Sequence, residues 1–179
     1  MTKFVPHHKR LSLLISDHIA SQFKFSLNAT DMAVKQTLFQ SFRKEQSNIS
    51  LIAIFNHREH KILLVFDSKL IYSLANKSVG GSGTIDTKPK PMFTMLEKFM
   101  AEQLIQFIKK HLIKLIEPLE FVRLEESFDH VHAFYNEEKI IQVEMKCHEH
   151  EQHLGNIQIL YPIAVYKKGE VNAPKKTNA

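Results

Sequence analysis

The sequence predicts an α/β domain with pseudo-two-fold halves, long helices packed on a largely antiparallel sheet. Two observations carry this. Each half of the chain runs in the same coarse order, an amphipathic helix followed by short β-branched apolar runs. Between the halves, the stretch from Ser78 to Leu115 holds three of the chain's 5 glycines, Gly80, Gly81 and Gly83. A stiff basic segment follows, Lys88, Pro89, Lys90 and Pro91, and then the longest periodic apolar run in the chain, from Phe93.

In order, residues 1–8 read as a flexible N-terminal lead-in. From Lys9 to Lys24, Leu11, Leu14, Ile15, Ile19 and Phe23 recur at helical spacing. Asn28-Ala29-Thr30-Asp31 reads as a turn, and the segment after it is open between strand and helix. Ile49–Phe55 and Ile62–Phe66, separated by Asn-His-Arg-Glu-His-Lys, form a hairpin, and Asp67 to Asn76 a short helix ending at the glycines. The long helix opens with a capping box, Thr94 at the N-cap and Glu97 at N3. Leu96, Met100, Leu104, Phe107, Leu112 and Leu115 are expected to line one face, with Pro118 as the stop. Three strands follow: Leu119–Leu124, a period-two run through Ile141, Val143, Met145 and Cys147, and Ile157–Val165 carrying Pro162. Residues 9–167 make the domain, and 168–179 a flexible basic tail.

Composition narrows the function. The 179 residues suit one domain with a substantial core. The formal charge of +5 is spread along the chain without a basic patch or interleaved aromatics, so nucleic acid is not an expected partner. No stretch has the length and apolarity of a membrane span, and the first residues lack a signal peptide's apolar region. With Cys147 as the one cysteine, a reducing, cytoplasmic setting is the simpler expectation.

The run Gly-Gly-Ser-Gly-Thr after an apolar helix, a linker, Thr-Met-Leu-Glu opening a long helix, and strands ending in Gly-Asn-Ile-Gln-Ile-Leu-Tyr-Pro resemble the middle domain of the flagellar motor switch protein FliM. The order of elements agrees from about Arg10 to Tyr166. The resemblance implies a CheC-like α/β/α sandwich that packs side by side in the cytoplasmic ring at the flagellar base, peripheral to the inner membrane. It implies contact with the rotor protein FliG through the glycine loop, here Gly80, Gly81, Ser82, Gly83 and Thr84. The start Met-Thr-Lys-Phe-Val-Pro matches no acidic CheY-binding peptide, and no FliN-binding domain follows Tyr166, so the expectation is a divergent, one-domain version. On the residues alone, the glycines read first as a helix stop, and only the resemblance puts the partner reading ahead.

Catalysis is not expected. CheC-type phosphatases place an acidic residue and an asparagine three positions apart on a helix, so that the amide orients a water at an aspartyl phosphate. The equivalent Glu97-Lys98-Phe99-Met100 has methionine in the asparagine's place, expected on the core stripe, and the first helix offers Asp17 without such a partner. Gly-Gly-Ser-Gly-Thr lacks the lysine of a P-loop. The run Cys147 to His153 concentrates thiol, imidazole and carboxylate groups, but Cys147 alternates away from His148, and an exposed hairpin accounts for it. No cofactor or metal is expected. The reading is a scaffold or adaptor of the motor switch; the alternative is a standalone CheC-like signalling module, with or without phosphatase activity.

Overall fold

The computed structural model describes residues 3–46, 49–82 and 92–171, with residues 169–171 described by backbone alone. The elements are α1 (Phe4–Phe23), β1 (Asn28–Leu38), α2 (Phe39–Glu45), β2 (Ser50–His57), β3 (His60–Asp67), α3 (Ser68–Ser78), α4 (Met95–Leu112), β4 (Glu120–Glu125), β5 (Lys139–Glu149), β6 (Gln152–Pro162) and α5 (Ile163–Val171).

The six strands form one antiparallel sheet in the order β1-β5-β6-β3-β2-β4. Exchanging β1 with β4, β2 with β5 and β3 with β6 reverses this order and so reproduces it. The halves are therefore interlocked: β1 of the first pairs with β5 of the second, and β4 of the second with β2 of the first. The central pair, β3 with β6, joins Leu63 to Leu160 and Phe66 to Ile157, all fully buried. Both faces of these strands are covered, which is why they read as continuous apolar runs rather than alternating ones.

One face carries the main core. Leu11, Ile15 and Ile19 of α1, Leu70, Ile71 and Leu74 of α3, and Leu104, Ile105 and Ile108 of α4 pack there against Phe55, Phe66, Val143 and Ile159. Val165 and Tyr166 of α5 join the same cluster. On the other face α2 and the 3-10 turn Phe128–His130 cover a smaller core, with Phe39 and Phe42 on Ile52, Ile54, Leu63 and Leu160.

Four expectations need correction. Helix α1 starts at Phe4 rather than Lys9. Phe4 and His8 extend the Leu11–Ile15–Ile19 face by two turns and are fully buried. Phe4 packs on Tyr161 and Tyr166 with ring centroids 5.4 and 4.5 Å away, and Pro6 is tolerated in the first turn, where its missing N–H had no helical partner. The core face of α4 is Glu97, Ala101, Leu104, Ile105, Ile108 and Leu112; Leu96 and Phe99 are exposed, and Met100 and Phe107 half-buried. This helix is apolar on several sides, so periodicity alone does not choose the buried stripe. It also ends at Leu112, before Pro118. Finally, β6 stops at Pro162, which lacks the N–H a ladder needs, and α5 takes the chain to Val171, into the stretch expected to be a tail.

The open segment resolves as β1 followed by α2. Its Asn28 side chain accepts from the Thr30 amide at 2.8 Å, at the register irregularity between Asn28 and Asp31. The β2–β3 hairpin forms as expected, with Arg58 at a φ of 54° in its turn.

Candidate functional site

Helix α3 ends in a glycine turn whose geometry is complete. Val79 is the C-cap; the Gly80 amide donates to the Lys77 carbonyl at 3.0 Å and the Gly81 amide to the Asn76 carbonyl at 2.9 Å. That pair of bonds is a Schellman motif, and it needs a left-handed residue at the position after the C-cap. Gly80 supplies it with a φ of 86°, and a Cβ there would meet no atom within 4 Å. A Cβ on Gly81 would run into the Asn76 side chain. The turn stops the helix, and it also presents exposed backbone at Gly80. Ser82 is exposed beside it, while Gly83, Thr84 and the Lys88–Pro91 linker lie outside the described residues.

The turn forms one wall of a groove of about 570 Å³. The last turns of α1 contribute His18, Gln22, Phe23 and Lys24, the end of α3 Lys77, Ser78 and Gly80, and the start of α4 Phe99, Met100 and Gln103. Thr94 and Glu97 fix where that third wall begins. The Glu97 amide donates to Thr94 Oγ1 at 3.2 Å and the Thr94 amide to Glu97 Oε2 at 2.7 Å, the expected capping box. Its placement leaves Phe99 53% exposed on the groove, with Met95 90% exposed one turn earlier. Val79, next to Gly80, is 67% exposed. Large apolar side chains bared beside an open turn mark a surface that a partner can cover.

Chemically the groove has few means. Its charged lining is Lys24 and Lys77, with the His18 imidazole beside them and no carboxylate. Lys77 reaches Glu149 at 3.7 Å and lies over the Phe25 ring, and His18 stacks on Phe107 at 3.8 Å, with burial lowering its pKa. Glu97 is nearly buried with its carboxylate on the Thr94 amide. Met100 lines the groove rather than the core stripe, but its thioether cannot orient a water as an amide does. The acid and amide of an aspartyl-phosphate phosphatase are therefore not assembled on α4, and Asp17 is exposed on α1. The exposure of Phe99 and Met95 was not legible in the sequence, because both sit in a run that reads as core.

The histidine-rich hairpin does not converge either. Cys147 is buried on the helix side of the sheet, where burial pushes its thiol pKa far up. His148 and His153 approach to 5.2 Å between ring centroids, and His153 Nε2 is 2.9 Å from Asn156 Oδ1. Among the described residues, no three His, Cys, Asp or Glu side chains group as metal ligands would.

A family model described as "Flagellar motor switch protein FliM" matches residues 1–168. No curated protein matches the chain. Among solved structures, the fold is similar to a chain of the FliG-FliM complex from H. pylori, with a TM-score of 0.77 and 16% identity over 95% of this chain and 96% of that one. It is also similar to the FliM middle domain from H. pylori, with a TM-score of 0.74 and 14% identity over 95% of each chain. Thermotoga maritima FliY matches with a TM-score of 0.64 and 14% identity over 94% of this chain and 96% of that one.

Proposed function

The chain belongs to the FliM family of flagellar motor switch proteins, and we propose that it works there as a non-catalytic scaffold, contacting a FliG-like rotor protein through the Gly80–Thr84 loop. The observation that carries this is the coincidence, on one groove, of the open Gly80 backbone and the exposed Phe99 ring. Glycine lets a partner's main chain approach closely, and an exposed aromatic offers the kind of anchor that dominates interface energies. The similar chain in the FliG-FliM complex supports the choice of partner. A non-catalytic role is supported by a groove that has no acid–amide pair and a Glu97 committed to the helix cap. On this reading the protein sits in the cytoplasm at the flagellar basal body, peripheral to the inner membrane, and associates side by side with its copies in a ring.

Affinity capture of the tagged full chain from native lysate tests the reading. FliG as the principal captured protein supports it. Capture of a response regulator without FliG overturns it in favour of a CheC-like signalling module.

A further inference from the structure

Helices α1 and α4 run antiparallel, and at the end opposite the groove they enclose a second, smaller pocket of about 190 Å³. It is lined by His7, Arg10, Leu11 and Leu14 of α1 and by His111 and Lys114 at the close of α4. All four of its polar side chains are cationic or can become so, and no carboxylate lines it. Neither Arg10 nor Lys114 makes an ion pair among the described residues. His7 Nε2 is buried with no hydrogen-bond partner among the described residues.

The helix dipole explains only part of this. His111 and Lys114 stand at the C-terminal end of α4, where cations are favoured. Arg10 is in the second turn of α1, near the positive end, where they are not. Arg10 and Lys114, both exposed, flank a buried ring nitrogen that has no partner among the described residues. We propose that this pocket binds a small oxyanion of the phosphate class, with Arg10 and Lys114 as charged donors and His7 Nε2 as a third.

Proton uptake should accompany binding. Nε2 donates to an anion most strongly when the His7 ring is protonated. Burial lowers its pKa most, and His111, Lys3 and Arg10 lower it further. His111 is lowered by burial and then by Lys114, Lys110, Arg10 and His18. An anion among these groups favours the protonated imidazoles, so binding is linked to proton uptake by His7 and His111.

Calorimetric titration of the full chain with inorganic phosphate at fixed ionic strength, in two buffers of different ionisation enthalpy, tests this. We expect saturable one-to-one binding with proton uptake, weakened roughly tenfold by Arg10→Gln, the loss of one charged hydrogen bond. Lys110→Gln, outside the pocket, should have little effect. If Arg10→Gln does not fold, Lys114→Gln carries the same comparison. Absence of saturable heat, or equal weakening by Arg10→Gln and Lys110→Gln, overturns the proposal. Binding to phosphatidylglycerol vesicles that phosphate displaces would identify a lipid headgroup as a source of the same anion; vesicle binding that phosphate leaves intact would overturn it.

Discussion

The Gly81 amide donates to the Asn76 carbonyl at 2.9 Å, while the Asn76 side chain occupies the space a Gly81 Cβ would need. The two glycines of the turn are thus constrained differently. Gly80 must be left-handed but has open space around it; Gly81 has no left-handed φ but has a neighbour. Gly80→Ala should therefore cost about 1 kcal/mol through backbone strain alone, and Gly80→Asn less, because asparagine tolerates the left-handed region. Gly81→Val should lower stability by displacing Asn76. Urea denaturation of the three variants checks the order, and a Gly80→Ala protein as stable as the parent would contradict the turn geometry.

The capping box makes a second prediction. Thr94→Ala removes the oxygen that accepts from the Glu97 amide, and should cost about 1 kcal/mol in chemical denaturation. No change would place the helix start elsewhere.

A third concerns His8, whose ring is buried between the Phe4 carbonyl, 2.6 Å from Nδ1, and the Tyr161 hydroxyl, 2.7 Å from Nε2. Burial drives its pKa down from 6.5 to about 4. The unfolded chain therefore binds the proton more readily than the native one, and stability rises with pH. The contribution is complete above pH 6.5 and is lost as pH falls toward about 4, a change on the order of 3 kcal/mol. His7, His18 and His111 are lowered too and act in the same direction; Asp67, raised by burial, opposes them at the acid end. Thermal melts from pH 7 to pH 4 should show the fall, and His8→Gln, which keeps an acceptor toward Tyr161, should flatten it. Equal slopes in the two proteins would remove His8 as the cause.

α4, β2, β3 and β5 were legible because their local signals were strong: the Thr94–Glu97 box, the two continuous apolar runs, and the alternation through Ile141 to Cys147; β1 and α2 stayed open and α5 was read as strand and tail. The interlocking of β1 with β5 and β4 with β2 was not legible, because pairing across the halves leaves no local mark. The burial of Phe4 and His8 was hidden for the same reason, since both depend on tyrosines of β6 and α5 more than a hundred and fifty positions along the chain. At the site, the glycines announced the turn. Only the rotation of α4, set by its cap and by packing, shows Phe99 and Met100 facing the groove while Ala101 and Ile105 face the sheet.

The partner reading of the glycine loop is tested most directly by calorimetric titration of a FliG-like protein from the same cell into Gly80→Asn. Asparagine preserves the helix stop while placing a side chain on the exposed backbone. The prediction is a folded protein with a nearly unchanged melting temperature and affinity for FliG reduced by about tenfold or more. Parental FliG affinity in folded Gly80→Asn would contradict the claim that this loop is the contact.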